Sequence, residues 1–267
     1  MLTPETITSA ANPLLKEVRR AVARGSLTEG GWCVAETFHL LEEALRSGSQ
    51  VHTVLAAESA RAAVVAQGRR LAGVKVAVLP DALFAGIAAT ETSQGVMALV
   101  QPRPWKLEQL LQGAALVVVL DGLQDPGNAG AIVRAAEAFG GTGVLFLKGT
   151  VSPHNPKTLR ASAGSLFRVP YLHGIESAAA RAALEGNHIA LFAAMPAAAT
   201  SVGRLPATDL TGRCALIVGN EAHGVSALWR AAAAPVSIPT VGVESLNAAL
   251  AAGILLYEAR RQRMLRP

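Results

Sequence analysis

A polar, glycine-rich loop followed by an arginine is the first group of residues that could do chemistry. The loop DGLQDPGNAG (Asp121–Gly130) follows an apolar run, and Arg134 lies four residues beyond it. Asn128 can cap a helix, because its side-chain oxygen can accept a hydrogen bond from a free backbone N–H. The five donors of an arginine suit phosphate or ribose oxygens. The loop therefore predicts either a site for a ligand rich in such oxygens or only a capped helix after a strand.

A second loop, IVGNEAHGVS, brings a carboxylate to the end of another apolar run. A strand is predicted to end at Gly219, where the missing side chain allows a ligand to approach the backbone closely, and Asn220 and Glu221 come next. A charge at the end of a buried strand is costly unless it has a partner, which makes Glu221 a candidate functional group. His223 could act as a general base, but a single histidine in a turn is more often a surface residue.

A third loop, IPTVGVESLN, opens a strongly apolar helix that ends near Glu258–Arg263. We predict Ser245 as the N-cap of this helix, with Asn247 forming further side-chain bonds at the same end. The free N–H groups of the first turn are also available there to a ligand. A helix this apolar is buried, either in the core or against another subunit.

A parallel sheet would bring the three loops together. Leu116–Leu120 is a continuous apolar run, which is typical of a strand buried on both faces of a parallel sheet. Similar short runs follow at Val144–Leu147, Ile189–Ala193 and Ala215–Val218. The repeated order of strand, loop, helix and strand predicts an α/β fold with an open parallel sheet. Ligands of such sheets bind at the loops beyond the carboxyl ends of the strands.

The prolines of Gln101–Trp105 (QPRPW) mark the best domain boundary, because they disfavour continuation of helix or strand. We therefore predict two domains, 1–103 and 104–267. The first has a helix starting at Asn12-Pro13, another over Thr37–Ser47, and short β-branched runs, which together indicate a small α/β domain. Its first helix carries basic residues at helical spacing, which are candidates for binding RNA unless they form only a solvated face: Lys16, Arg19, Arg20 and Arg24.

The overall composition permits a polyanionic partner. Of the formal net charge of +5, the first domain carries +1 and the second +4. Aromatic residues make up only 4% of the chain, so platforms on which bases stack are not expected.

Two cysteines, Cys33 and Cys214, cannot build a disulfide framework, and their spacing offers no metal site. The first residues show no secretory signal, and the apolar runs are too short to span a membrane. We therefore expect a cytoplasmic protein with neither a metal ion nor a membrane partner.

In this order the motifs resemble those of the SpoU (TrmH-type) branch of the SPOUT RNA methyltransferases. DPGNAGAIVRAAEAFG is similar to the family's first motif, IVGNEAHGVS to its second and IPTVGVESLNAALAAGILLYEA to its third. NPKTLRASAGSLFRVPY resembles the segment between the first two motifs, with Arg160, Ser162 and Gly164 in place. The chain before residue 100 resembles the family's RNA substrate-binding domain, although Glu36-Thr37 stands where the family usually has Glu-Gly.

The resemblance implies a fold and an activity. The second domain should be an α/β-knot, in which a deep trefoil knot at the carboxyl end binds S-adenosylmethionine. The small N-terminal α/β domain should bind the RNA substrate. The protein should be a homodimer with its last helix in the interface, and it should methylate a ribose 2′-hydroxyl in RNA. Ribosomal RNA is the expected substrate, because the added N-terminal domain resembles those of ribosomal RNA methylators.

The resemblance also assigns roles to particular residues. The implied catalytic residues are Asn128, Arg134, Glu221, Ser245 and Asn247. Arg134 would stabilise the developing alkoxide, and Asn128 would orient either Arg134 or the ribose. Glu221 together with Ser245 or Asn247 would hold Arg134 and the substrate. The implied cofactor-binding residues, acting mostly through the backbone, are Ala194, Met195, Gly219, Asn220, Ile238, Leu246 and Asn247. Their charge makes Lys157, Arg160 and Arg168 further candidates for binding RNA beside the active site, and the resemblance supports Arg160 among them.

Several alternatives stay open from the sequence. The substrate could be transfer RNA, the chain could be an antibiotic-resistance methylase of the same architecture, or it could be a degenerate family member that only binds RNA. A dehydrogenase is disfavoured, because the first loop lacks GxGxxG and no acidic residue is placed to bind a ribose. Methylation of a base belongs to a different SPOUT branch, whose motifs this chain does not show.

Overall fold

The chain passes between two structural units three times instead of once. A computed structural model describes residues 4–196 and 203–265. The first unit runs to Pro104 and also contains His154–Arg168, and the second comprises Trp105–Pro153 and the chain from Val169 onward. Our division after residue 103 therefore needs a correction, because it assigns His154–Arg168 to the second domain.

The first unit is built on a mixed five-stranded sheet in the order β1-β4-β3-β5-β2. Strand β4 pairs in parallel with both β1 and β3, and β5 pairs antiparallel with both β3 and β2. Its elements before residue 104 are β1 (Glu5–Thr6), α1 (Pro13–Arg24), β2 (Cys33–Glu36), α2 (Phe38–Arg46), β3 (Val51–Ala57), α3 (Arg61–Ala66), β4 (Lys75–Leu79), α4 (Asp81–Ala85) and β5 (Val96–Val100). Apolar side chains from α1, β3 and β5, among them Leu15, Leu55 and Met97, form its core.

The residues that cap the first two helices differ in the strain of their backbone conformation. Asn12 caps α1 by accepting from the backbone N–H of Leu14, and Pro13 is the first helical residue, as its fixed φ favours. Thr37 caps α2 by accepting from Leu40 N at 3.1 Å, but it does so at φ 130°. That conformation favours glycine, so Thr37 is strained at this position.

The inserted segment His154–Arg168 is held in the first unit by two buried glutamates. It contains α7 (Pro156–Ala161), which packs against β2. Arg160 lies 3.5 Å from the carboxylate of Glu36, a residue whose side chain is completely buried. Arg168 is ion-paired with the mostly buried Glu43. Because a buried carboxylate needs a partner, these pairs explain why the segment belongs to this unit.

Seven of the described strands of the second unit form one parallel sheet, in the order β10-β12-β9-β11-β6-β7-β8. In chain order the elements after residue 104, α7 aside, are α5 (Leu107–Leu110), β6 (Leu116–Asp121), α6 (Pro126–Ala138), β7 (Gly143–Leu147), β8 (Tyr171–Ile175), α8 (Ser177–Gly186), β9 (Ala190–Ala194), β10 (Gly203–Arg204), β11 (Cys214–Gly219), α9 (Ala227–Ala232), β12 (Ala234–Ser237) and α10 (Ala248–Leu265). The predicted α/β fold with a parallel sheet is confirmed.

The central strands of this sheet are apolar because both faces are covered. Every residue of β6 is buried, and Val117, Val119 and Ile217 meet the fully buried Trp229 of α9 in one core. On the other side α10 packs against α6, with Phe139 and Tyr257 in an edge-to-face contact at 5.7 Å. Within residues 4–196 and 203–265, no helix combines the length and the apolar character that crossing a bilayer requires.

Candidate active site

The ends of neighbouring strands bring the second unit's three polar loops to one edge of its sheet. β11 lies between β6 and β9, and β12 lies on the far side of β9. Because all four strands are parallel, the loops that follow β6, β11 and β12 leave the sheet at the same edge. The predicted candidate residues of these loops therefore become neighbours, although more than a hundred residues separate Asn128 from Asn247.

A directional chain of hydrogen bonds joins one residue from each loop. Asn247 donates through Nδ2 to Oδ1 of Asn128 at 2.9 Å, and Asn128 donates through Nδ2 to Oε1 of Glu221 at 3.1 Å. Asn247 itself accepts at Oδ1 from the backbone N–H groups of Ala249 and Leu250 at 2.9 and 3.2 Å. The orientation of each amide is fixed by its neighbours, so the three side chains form one ordered group.

Glu221 is held as a carboxylate by groups of the first loop. Besides the Asn128 side chain, the backbone N–H groups of Gln124 and Asp125 donate to it at 3.3 and 3.4 Å. Burial by itself raises the pKa of the Glu221 carboxyl, but the hydrogen bonds from Asn128 and from the backbone outweigh burial, and the net result is a pKa below its ordinary value of 4.5. Glu221 is therefore an ionised acceptor at neutral pH.

The second loop closes on itself around Asn220. Its backbone exchanges two hydrogen bonds with Gly224, at 3.0 and 2.8 Å, and its Oδ1 accepts from Ala222 N and His223 N. Its Nδ2 donates to the carbonyl of Gly122 in the first loop at 2.8 Å. Asn220 therefore fixes the shape of the second loop and ties it to the first.

Gly219 is required by this closed loop. A Cβ at residue 219 would overlap the backbone of Gly224 and Val225. We predicted that the missing side chain lets a ligand approach the backbone. The structure adds a second reason for a glycine here, the close approach of the chain itself, and the approach of a ligand to Gly219 stays a prediction.

A cleft of about 880 Å³ opens beside these loops. Apolar residues at the ends of β9, β11 and β12 line one part of it, and most of the other lining residues belong to the second and third loops. All seven residues predicted to bind a cofactor line this cleft: Ala194, Met195, Gly219, Asn220, Ile238, Leu246 and Asn247. Glu221 and Ser245 line it as well.

Two helix caps differ from our predictions. Asp125, not Asn128, caps α6: its side chain accepts from the backbone N–H of Asn128 at 2.6 Å, and Pro126 is the first helical residue. An Asp-Pro pair at this point of the sequence was the missed signal, because proline favours the first helical position. Asn247, not Ser245, caps α10, which leaves Ser245 exposed at the cleft.

Arg134 stands apart from the hydrogen-bonded group. It is exposed, and it forms no hydrogen bond or ion pair with any residue that the structure describes. The predicted contacts of Arg134 with Asn128, Glu221 or Asn247 are thus not formed. The reason is helical geometry, since six residues make about one and two-thirds turns and place Arg134 and Asn128 on different faces of α6.

The predicted RNA-binding residues fall into two groups, all in the first unit. Lys157 is exposed, as are the four basic residues of α1, Lys16, Arg19, Arg20 and Arg24. Of these, Arg19 donates to the Gly86 carbonyl at 3.1 Å and Arg20 is paired with Glu29. Arg160 and Arg168 are instead partners of the buried glutamates Glu36 and Glu43, so the structure gives both a stabilising role.

Two charged residues of the cleft were absent from our sequence predictions. Arg230 of α9 and Glu244 of the third loop both line it. Neither belongs to a spacing pattern, and only the fold brings them to the same cleft. Within the described part of the chain, no three His, Cys, Asp or Glu side chains are grouped as a metal ion would require.

Comparison with known proteins gives matches along nearly the whole chain. The model of the SpoU rRNA Methylase family matches residues 115–257, and that of the MRM3-like substrate binding domain matches residues 12–98. A 23S rRNA (guanosine(2553)-2′-O)-methyltransferase, RlmP, of Bacillus subtilis is 31% identical over 95% of this chain and 98% of its own. A 23S rRNA (guanosine-2′-O-)-methyltransferase, RlmB, of Xylella fastidiosa is 34% identical over 85% of this chain and 90% of its own. The crystal structure of an AdoMet-bound rRNA methyltransferase from Sinorhizobium meliloti is similar with a TM-score of 0.82 and 28% identity, and the match covers 96% of this chain and 97% of that one.

Proposed function

The chain belongs to the SpoU rRNA methylase family, and we propose that its cleft is the site where the methyl group of S-adenosylmethionine is transferred to a ribose 2′-hydroxyl of ribosomal RNA. The protein is an S-adenosylmethionine-dependent RNA methyltransferase, as the resemblance of its motifs implied. The observation that carries the assignment of the site is the hydrogen-bonded group of Asn128, Glu221 and Asn247 at a cleft lined by all seven predicted cofactor residues.

The cleft fits a nucleoside-sized cofactor. Its volume of about 880 Å³ lies within the range of small-molecule sites. Ile238 and Leu246 supply apolar walls suited to an adenine ring, and the polar side chains of the lining come from the second and third loops and from Arg230 of α9. When bound, the cofactor supplies a sulfonium methyl group that is electrophilic without the help of a metal ion.

The residues of the chain must then help a poor nucleophile. A ribose 2′-hydroxyl is a very weak acid, so its attack requires positioning and stabilisation of the charge that develops on the oxygen. A guanidinium stays protonated at neutral pH, and Arg134 therefore acts as a stabiliser of the alkoxide and not as a general base. A neighbouring RNA phosphate takes the proton. Arg134 is free of described protein partners for this role, while the group of Asn128, Glu221 and Asn247 keeps α6 and the loops in register.

The proposal includes a homodimer with α10 in the interface. Leu250, Tyr257 and Met264 are 54%, 55% and 68% exposed, and they recur every seven residues along this helix. That spacing places them in one stripe, and an exposed apolar stripe is typical of a surface that a partner covers. A second copy of the chain is the occupant we propose.

The proposal also includes a trefoil knot at the carboxyl end of the second unit. It is supported by the insertion of β11 between the earlier strands β6 and β9 and by the tight closure of the second loop on Gly219.

Binding of RNA by the first unit is a further part of the proposal. It is supported by the match of residues 12–98 to a substrate binding domain and by the exposed basic face of α1. A cytoplasmic location is supported by Cys33 and Cys214, which are both buried free thiols.

Mapping of 2′-O-methyl groups tests the function directly. Purified protein is incubated with S-adenosylmethionine and with either unmodified ribosomal RNA or unmodified transfer RNA, and 2′-O-methylated nucleotides are located in both. We expect a single new site in ribosomal RNA. A site only in transfer RNA would contradict the proposed substrate. No methylation of either RNA, together with intact RNA binding, would favour the degenerate family member.

A further inference from the structure

Two opposite charges of the cleft have no partner among the described residues. Arg230 and Glu244 both line the cleft and are both exposed. Neither side chain forms a hydrogen bond or an ion pair with a described residue. The third charged residue, Glu221, is by contrast already bonded to Asn128 and to the backbone of the first loop. One cationic and one anionic group are therefore left to meet a ligand.

The backbone of Arg230 is held in place by the contacts of its neighbours in α9. Arg230 follows Trp229, whose side chain is fully buried in the core of the second unit, and its backbone N–H donates to Ser226 O at 3.0 Å. Ser226 in turn donates through its backbone N–H to the buried Asp121 at 2.7 Å. These contacts hold the backbone from which the Arg230 side chain reaches the lining of the cleft.

The charges of the cofactor match this arrangement. The adenosine part is uncharged, whereas the amino-acid end carries an α-carboxylate and an α-ammonium group. A carboxylate that leaves water needs charge-assisted donors, and Arg230 is the only Lys or Arg among the described residues that line the cleft. We propose that Arg230 binds the α-carboxylate and that Glu244 binds the α-ammonium of the cofactor's amino-acid end. This inference rests on the proposed function, because it assumes that the cofactor occupies this cleft.

Binding of two related nucleosides distinguishes a contact with the amino-acid end from a general effect of the substitutions on the cleft. S-adenosylhomocysteine carries both charged groups of the amino-acid end, and 5′-methylthioadenosine lacks them. Dissociation constants of both are measured by titration calorimetry for the wild type, Arg230→Ala and Glu244→Gln. We expect each substitution to weaken S-adenosylhomocysteine about tenfold, as the loss of one charge-assisted contact would, and to leave the affinity for 5′-methylthioadenosine unchanged.

A matched control is available on the same sheet. Arg204 is another exposed arginine of the second unit, lies on the edge strand β10 and does not line the cleft. Arg204→Ala should leave both affinities unchanged, and Arg230→Lys should lose less than Arg230→Ala, because a lysine keeps the charge but not the paired donors.

Three results would overturn the inference. Equal weakening of both nucleosides would mean that Arg230 only shapes the cleft. Unchanged affinities for both would mean that it does not touch the cofactor. A loss of RNA affinity with unchanged affinity for S-adenosylhomocysteine would assign Arg230 to the RNA backbone. Failure of the wild type to bind either nucleoside would instead contradict the proposed function, and the inference would fail with it.

Discussion

Asn128 is the residue whose hydrogen bonds join the three loops. It donates to Glu221, accepts from Asn247 and presents its own backbone N–H to Asp125. The sequence identified all of these side chains except Asp125 as candidates, because amides and carboxylates that follow a predicted strand can be recognised from the sequence alone. It did not indicate which side chain bonds to which, since that depends on the faces of α6 that the fold turns toward the other two loops.

Arg134→Ala should abolish methyl transfer and leave the affinity for S-adenosylmethionine within a few fold of the wild type. Methyl transfer is lost because the variant lacks the proposed stabiliser of the alkoxide. The cofactor affinity is kept because Arg134 is not among the described residues that line the cleft and forms no bond that holds a described loop. The rate of methyl transfer and the dissociation constant of the cofactor are measured on the same preparation. If cofactor binding disappeared as well, a role of Arg134 in stabilising the alkoxide would be wrong.

Glu221 should make the stability of the protein depend on pH in the acidic range. Its pKa in the folded protein lies below 4.5, so its ionised form stabilises the fold above the ordinary pKa, and this contribution is lost as pH falls through the folded pKa. Glu221→Gln should therefore be less stable than the wild type at pH 7, and the difference should shrink below pH 4.5. Urea unfolding of both proteins over a pH series measures this. A difference that stays constant over the series would contradict the prediction.

At the scale of elements, the strands were the easiest part to predict. Leu116–Leu120 and Val144–Leu147 were each one residue short of β6 and β7, because buried parallel strands appear as continuous apolar runs. Helix starts were less accurate, since α6 is capped by Asp125 and begins at Pro126, whereas Asn128 was the predicted cap. Glycine and asparagine in its first turn disfavour a helix, and the Asp-Pro pair that marks its start was overlooked.

The segment His154–Arg168 could not be assigned from the sequence alone. Its partners, Glu36 and Glu43, lie more than a hundred residues earlier, and a buried glutamate has no local signature. Gly164 shows the same dependence, because at φ +90° its absent Cβ would lie 2.6 Å from Cβ of Glu43. Motif similarity suggested a place beside the active site for this segment, and that stays a prediction.

Thr37→Gly should stabilise the first unit. Thr37 adopts φ 130°, where a residue with a Cβ is strained by about 1–3 kcal/mol. Glycine removes that strain and costs only a few tenths of a kcal/mol as a helix cap, so we expect a gain of about 1 kcal/mol in the free energy of unfolding. Thr37→Ala is the control, since it keeps the Cβ and loses the hydrogen bond to Leu40. Chemical denaturation of both variants measures the effect, and a stabilised alanine variant would contradict it.

Gly219→Ala should prevent correct closure of the second loop. The added methyl group would overlap the backbone of Gly224 and Val225, which cannot move as a side chain could, so we expect a loss of about 3 kcal/mol or more. Gly212→Ala is the matched control, because no described atom lies within 4 Å of the position that its new Cβ would take, and it should change stability by less than about 0.5 kcal/mol. Thermal unfolding of both variants gives the comparison. Equal melting temperatures would show that the loop adapts.

At the scale of the whole molecule, the exposed stripe on α10 should control assembly. Leu250→Asp places a charge in a stripe that we propose a second copy covers, so the dimer should dissociate at micromolar concentration. Analytical ultracentrifugation of this variant and of Val65→Asp, which alters an exposed apolar residue of the first unit, measures the effect. If Leu250→Asp sedimented like the wild type, the proposed interface would be wrong.

The place of β11 in the sheet has a consequence for how the protein matures on the ribosome. β11 is translated after both β6 and β9, yet it lies between them. In the folded sheet β6 and β9 are therefore separated by β11 (Cys214–Gly219), which has not yet been made when they leave the ribosome. If β6 and β9 paired with each other before then, that pairing would have to break. Contacts of such long sequence separation slow folding, so insertion of this strand should limit the rate at which newly made chains become active. A nascent chain that ends before it would expose two apolar strand edges, which is the kind of intermediate that chaperones bind.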